Sequence, residues 1–411
     1  MQKPGHAIYK LEGVIKHYDW GGTAFLSELL SYPNTQGKPM AEYWLGAHLL
    51  SSSTLITENG QMFLKEFIAA NKERALGKSV SKKFGELPYL LKILDVKDPL
   101  SIQVHPSKHE AEIGFAKENA EAIPLHASNR NYKDDNHKPE LIVALNEFWL
   151  LHGFKPAEKF VETIRSIPGF SSLLEIFAST GYDQLYKTVM EMSQQKVNEI
   201  LQPLLDRIIP LYQNNQLEKS DENFWVARAA VIFNEPPNID RGIFSVYFFN
   251  LVNLKKGEGI FQDAGVPHSY LEGRNIEIMS NSDNVLRGGL TKKHIDVKEL
   301  MRHIKFEETI PNILHPKKAG DENVFLTAAP DFKLSQYHLE AGKETSLHSV
   351  TGEIILVVEG KISVSSANDQ LDLSKGEAAF VLAGGSVQIR TLANAEVFRA
   401  SVPVHPDSDR E

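Results

Sequence analysis

The chain contains no cysteine. That excludes disulfides and thiolate metal ligands, so any metal here must be held by nitrogen and oxygen. It also fits a reducing compartment. Positive charge is in short supply: 44 Lys and Arg against 53 Asp and Glu leave a formal charge of -9. A nucleic-acid partner is therefore not expected, although a local basic pocket for a phosphorylated small molecule stays open. Long apolar runs are missing as well. Ile354-Ile-Leu-Val-Val358 is strand-sized, far below the roughly 20 residues that cross a bilayer. The start, Met1-Gln-Lys-Pro-Gly-His-Ala-Ile-Tyr9, has no continuous apolar core of the signal-peptide kind. No membrane partner and a cytoplasmic location are the expectation. The glycine pairs Gly21-Gly22 and Gly288-Gly289 match neither a P-loop nor a dinucleotide fingerprint, so ATP and NAD are unsupported.

What is present is an ordinary globular composition, 42% hydrophobic and 24% charged over 411 residues, which is long enough for two or three domains. The first part mixes short strands with a few helices. From about Lys155 to about Glu235 the pattern turns helical, with Val197, Ile200, Leu201, Leu204, Leu205, Ile208 and Ile209 at helical spacing. Pro203 and Pro210 are expected to interrupt or kink that stretch, and Pro168-Gly169 marks a turn. Strands are expected to return at Phe244-Ser-Val-Tyr-Phe-Phe-Asn-Leu-Val-Asn253. From about Asn323 short strands alternate with Gly, Asn and Asp turns, as in a β-sandwich or jelly roll.

Two stretches read alike, Leu254-Lys-Lys-Gly-Glu-Gly-Ile-Phe261 and Leu373-Ser-Lys-Gly-Glu-Ala-Ala-Phe380. The first continues to Pro267-His268, and the second to Leu382-Ala-Gly-Gly-Ser386 without a histidine. This suggests one jelly-roll unit used twice, with a ligand histidine kept only in the first copy. A glycine turn followed by proline and a ligand histidine resembles the second motif of cupins.

The densest chemistry lies in Ser101-Ile-Gln-Val-His-Pro-Ser-Lys-His-Glu110 and Asp135-Asn-His-Lys-Pro-Glu-Leu141. On an extended strand Ser101, Gln103 and His105 face one way, and Ile102 and Val104 the other. Ser107 and Glu110 form a capping box, which predicts a helix directly after that strand. Leu141-Ile-Val-Ala-Leu145 reads as a buried strand with Glu140 at its entrance. Gln103, His105, Glu140 and His268 together offer two nitrogens and two oxygens, a set suited to zinc with a position left open. Any one of these histidines alone is more often structural; the coincidence of the four carries the reading. His17, His48, His126, His294, His303 and His338 lack such a setting and are assigned to surface or core. Arg287, before Gly288-Gly289, suits a phosphate or a developing oxyanion. Lys138 shares a face with Glu140 if that segment is extended, and Lys292-Lys293 reads as a solvent-facing doublet.

Pro99-Leu-Ser-Ile-Gln-Val-His-Pro-Ser-Lys108, Tyr132-Lys-Asp-Asp-Asn-His-Lys-Pro-Glu-Leu141, Pro267-His-Ser-Tyr-Leu271 and Ser282-Asp-Asn-Val-Leu-Arg-Gly-Gly-Leu-Thr291 closely resemble the type I mannose-6-phosphate isomerase family of the cupin superfamily. Tyr18-Asp-Trp-Gly21, Met40-Ala-Glu-Tyr-Trp-Leu-Gly-Ala-His48 and Phe84-Gly-Glu-Leu-Pro-Tyr-Leu-Leu-Lys92 support it, so the likeness runs from about residue 10 to 310. The resemblance implies a mainly β chain of two cupin-type jelly rolls with an inserted α-helical domain. The implied division is 1–154 plus 240–318 for the zinc-bearing jelly roll, 155–239 for the helical insertion, and 319–411 for a C-terminal jelly roll.

The family's ligands to its one zinc fall on Gln103, His105, Glu140 and His268, and its active-site arginine on Arg287. Its other pocket residues fall on Ser101, Lys92, Lys138, Glu277 and Asp283. Where the family reads Arg-Ala-Gly-Leu-Thr-Pro-Lys, this chain has Arg287-Gly-Gly-Leu-Thr-Lys-Lys293, which aligns the pocket lysine with Lys293 and makes that loop less rigid. The implied reaction interconverts mannose 6-phosphate and fructose 6-phosphate through an enediol. Arg287 stands near the developing charge; Lys92, Lys138, Lys293 and Ser101 are the phosphate candidates. Lys138, Glu277 or a metal-bound water is the general base. A monomer with a small sugar-phosphate partner is expected. The rival readings are a cupin metal oxygenase, which wants a histidine-rich iron site, and a non-catalytic sugar-phosphate sensor, which would not need every ligand position filled.

Overall fold

A computed structural model describes residues 6–58 and 60–403; the first residues of the N-terminal segment, Met1 to Gly5, lie outside them. Strand exceeds helix, and the described strands form two antiparallel sheet systems, with a helical region inserted between strands Phe148–Phe154 and Phe249–Leu254 of one of them. No helix among the described residues is long and apolar enough to cross a membrane.

The strand His268–Ser280 organises the first sheet system. It pairs with Tyr89–Val96 and then Gln103 on one side, and with Glu140–Ala144 and then Phe148–Phe154 along the other. Gln103–Val104 pairs in turn with Leu286–Arg287. Leu94, Ile142, Phe148, Leu150, Ile260 and Tyr270 fill an interior shared by these strands. Burying such side chains contributes about 2 kcal/mol each, and it holds the edges that carry the polar residues.

Helices Ala157–Ser166, Ser171–Glu191, Gln194–Gln213 and Glu222–Phe233 make up the helical region. An interruption at the prolines does not occur: Gln194–Gln213 runs as one helix through both Pro203 and Pro210. Its buried stripe of Val197, Ile200, Leu201, Leu204, Leu205 and Ile208 packs into the largest core, and that burial outweighs the hydrogen bonds the prolines forfeit. A second expectation also fails. Ile243–Phe248 is a helix with every residue buried, and the strand starts only at Phe249. A short apolar run buried on all sides has no amphipathic period to tell helix from strand.

The second sheet system takes in Lys333–Leu339, Glu353–Ser365, Ala378–Val381 and Ser386–Ser401, and also the N-terminal strands Ile8–Glu12, Thr54–Thr57 and Gly60–Phe63. The repeat read from the sequence recurs in geometry. Gly257 and Gly376 turn the chain at φ 86° and 83°. Glu258 accepts a bond from the Lys255 backbone at 2.8 Å, and Glu377 one from Ser374 at 2.8 Å. Beyond the turns, Gln262 pairs with Glu140 and Val381 with Glu353, so each copy opens a strand on a buried glutamate.

Candidate metal centre and cleft

Three elements converge on one point. The strand Gln103–Val104 delivers Gln103 and His105, with Ile102 and Val104 buried on the opposite face as alternation requires. The capping box is present: Ser107 and Glu110 bond reciprocally and start the helix Lys108–Ala120 right after the strand. Glu140 is the first residue of its strand, Glu140–Ala144, and His268 the first of His268–Ser280. His268 stands opposite Gln103 in the sheet register.

The imidazoles are held in defined tautomers. His105 Nδ1 faces the Asn284 carbonyl at 2.8 Å, and His268 Nδ1 faces the Val266 carbonyl at 3.0 Å. A carbonyl only accepts, so each Nδ1 carries a proton and each Nε2 is the atom left to face Glu140. Those Nε2 atoms lie 3.4 Å from Glu140 Oε1 and 3.4 Å from Glu140 Oε2, one on each carboxylate oxygen. His105 is fully buried, and its Nε2 has no hydrogen-bond partner. An unpaired lone pair in such a place is costly unless a cation takes it. One donor atom from each of His105, Glu140 and His268 falls within 4.8 Å of the others, and Gln103 lines the same recess as Glu140 and His268. These residues fit a zinc ion.

Electrostatics keep the donors in their binding forms. Burial, reinforced by the Lys138 charge, lowers the His105 pKa to about 4. Burial works against ionisation of Glu140, yet the Lys138 charge at 2.8 Å holds it well below the ordinary carboxylate range. Deeper in, burial raises Glu277 against the pull of Lys92. Lys92 sits 2.9 Å from Glu277 and 3.8 Å from Glu42, and the Tyr270 hydroxyl lies 2.9 Å from Glu277 and 3.2 Å from Glu140. Glu42 also accepts from the Trp44 indole.

Above this recess opens a cleft of about 580 Å³ lined by Ser101, Gln103, Lys92, Lys138, Asp283, Arg287 and Lys293, with Ile232 and Phe233 contributed by the helical region. All the residues expected at the site therefore come together, with His105, Glu140, His268 and Glu277 in or below its floor. They differ in their pairing. Lys92 is matched by two carboxylates, Lys138 by Glu140, and Asp283 by His48 at 3.1 Å. Arg287 is paired with Gln103 in register, and no anion among the described residues holds its guanidinium; burial alone acts on its pKa, downward. Desolvation and the Arg287 charge lower Lys293 as well.

Sequence reasoning missed several members. His48, assigned to surface or core, is buried against Asp283 and packs edge-on to Trp44. Asn284 fixes His105 through its carbonyl, while its amide binds the Asp134 and Asn136 carbonyls at 2.8 Å each. Tyr270 could have been found, since alternation from His268 puts it on the ligand face. Nothing local marked Asn284, whose role depends on a loop 150 residues away.

The model of the type I phosphomannose isomerase catalytic domain matches residues 8–157. The chain is 38% identical to the mannose-6-phosphate isomerase of Escherichia coli, over 92% of this chain and 96% of that one. With the Salmonella typhimurium enzyme it shares 40% over 91% and 94%, and with mannose-6-phosphate isomerase 1 of Arabidopsis thaliana 31% over 96% and 94%. A crystal structure of the Salmonella enzyme bound to fructose 6-phosphate and zinc has a TM-score of 0.88 at 36% identity, covering 97% of this chain and all of the other. Sequence and structure agree along nearly the whole length, and the chain belongs to the type I phosphomannose isomerase family.

Proposed function

We propose that the chain is a zinc-dependent aldose–ketose isomerase that interconverts mannose 6-phosphate and fructose 6-phosphate through an enediol. The observation that carries this reading is the Glu140 carboxylate set between the imidazoles of His105 and His268, the first with a buried unpaired Nε2, at the base of a cleft that also bears Arg287 and Lys293. Gln103, His105, Glu140 and His268 are the ligands in this reading. The zinc they hold supplies a Lewis acid of net charge about +1 with Glu140 ionised, suited to the negative charge of an enediolate.

The chain's own groups take the remaining tasks. Isomerisation removes the proton from C2, protonates the C1 carbonyl oxygen, and then returns a proton to C1 as O2 loses its own. Glu277 is the proton carrier favoured by its surroundings, because burial raises its pKa toward the working range while Lys92 and Tyr270 orient it. Lys138, bound to Glu140, stands on the metal side as the second candidate. Arg287, next to Gln103, donates to the oxygen that gains charge. Lys293 and Ser101 receive the phosphate, and Lys92 and Asp283 shape the floor and wall. Two cupin-type jelly rolls, 1–154 plus 240–318 and 319–411, with 155–239 inserted, are the architecture in this reading, the N-terminal strand Ile8–Glu12 being lent to the second sheet.

The test is proton exchange. Incubated in deuterium oxide with mannose 6-phosphate, the zinc-loaded protein is expected to yield fructose 6-phosphate labelled at C1. Binding of either sugar phosphate with no conversion would establish the sensor instead.

A further inference from the structure

Asp240 lies where the helical region returns to the sheets, outside every motif the sequence offered. Its Oδ1 accepts from the backbone N–H groups of Gly242 at 2.7 Å and Leu290 at 2.9 Å, and its Oδ2 from Thr291 at 3.1 Å. Leu290 and Thr291 line the cleft between Arg287 and Lys293. The approach is close: a Cβ on Gly289, itself at φ 125°, would lie 2.3 Å from the Gly242 Cα. Leu290 is held at φ 51°, a region that side-chain-bearing residues rarely occupy. One carboxylate thus ties down a turn with an unfavourable backbone shape.

The two cations flanking this turn depend on it unequally. Arg287 is fixed by sheet pairing with Gln103, and the next residues are stitched to the same strand, Gly288 N–H to the Ile102 carbonyl at 2.9 Å and Ile102 N–H to the Gly289 carbonyl at 3.0 Å. Among the described residues Lys293 has no such anchor. Its backbone N–H reaches only Thr291 Oγ1, at 3.1 Å within the same turn. The Lys292–Glu235 pair beside it is exposed on both sides, a kind of contact that contributes little.

We propose that Asp240 is a positioning residue: by clamping the Leu290 and Thr291 amides it preorganises the turn that aims Lys293 at the substrate phosphate, without touching substrate itself. The inference rests on the sugar-phosphate reading of the cleft. Asp240→Asn keeps the size and one acceptor but turns an NH₂ toward a backbone donor. The Michaelis constant for mannose 6-phosphate is expected to rise about tenfold, the loss of roughly one charge-assisted contact, with turnover changed by no more than about twofold. Zinc content stays that of the parent, inhibition by inorganic phosphate weakens in parallel, and trypsin cuts faster after Lys292 and Lys293. Unchanged Michaelis constant and trypsin rate, or lost turnover at unchanged Michaelis constant, would overturn the proposal.

Hydrogen exchange on the parent chain decides the matter if the variant does not fold. The Leu290 and Thr291 amides should be protected before any phosphate is added; exchange at the rate of an open loop until ligand binds would contradict the clamp. Absence of isomerase activity in the parent would remove the functional reading, and the trypsin and exchange results would still decide whether the clamp exists.

Discussion

At the scale of single residues, the site separates side chains already satisfied by the protein from those left for a ligand. Lys92 and Lys138 have their counter-charges and Asp283 has a histidine partner, whereas Arg287 meets no carboxylate among the described residues. Arg287→Ala should therefore lower turnover about 10²–10³-fold, as removal of a preorganised donor to developing charge does, while zinc content stays unchanged. Full turnover in that variant would remove Arg287 from the chemistry.

Protonation gives a second residue-scale expectation. Burial lowers His105 to about 4 and His152, bonded to Gln262, to about 4, from 6.5. Below pH 6.5 the unfolded chain takes up protons that the fold refuses until about pH 4. The contribution is complete above pH 6.5 and is lost as pH falls toward 4, about 3 kcal/mol per histidine over that span. The urea midpoint of zinc-stripped protein should fall between pH 7 and pH 5; a flat profile would show that these imidazoles are not held neutral. Gln103 and His105 were legible as candidates because ligand types sat at strand spacing, Glu140 from its place at a strand entrance, and His268 from the glycine turn and proline before it. The pairing of Lys92 with Glu42 and Glu277 was not, since all three lie on different strands.

At the scale of elements, local signals succeeded where local chemistry decided the outcome. The Ser107–Glu110 capping box was readable and is present. Ser107→Ala should cost about 1 kcal/mol in urea unfolding, with the zinc site intact in the folded fraction. A stability equal to the parent's would show that the cap adds nothing to the helix. Local signals failed where tertiary burial decided instead. Pro203 and Pro210 sit inside a helix that its apolar stripe holds in the core, and Ile243–Phe248 is a helix with every residue buried despite strand-like composition.

Across the whole molecule, the two sheet systems use one carboxylate register in two ways. Glu140 faces imidazoles and an open recess, whereas buried Glu353 is gripped by Arg399 through two bonds of 2.7 Å. The arginine occupies both oxygens of Glu353, whereas Glu140, paired with Lys138 through one oxygen, also faces the two imidazoles. Arg399→Met should destabilise the chain by about 3–5 kcal/mol, because it strands a buried carboxylate; a loss below about 1 kcal/mol would mean that Glu353 is readily neutralised. The sequence suggested the repeat through its Lys-Gly-Glu turns. It could not reveal that Ile8–Glu12 joins the second sheet beside Ala378–Val381, because such long-range pairing leaves no local trace.

The central claim is that one zinc, held by Gln103, His105, Glu140 and His268, supports the isomerisation. Its most direct test is to titrate zinc into chelator-stripped protein while following mannose 6-phosphate isomerisation. Activity should be absent at the start, rise in proportion to added zinc, and level off at one zinc per chain. Full activity in the stripped protein, or none in the folded, zinc-loaded chain, would contradict the account.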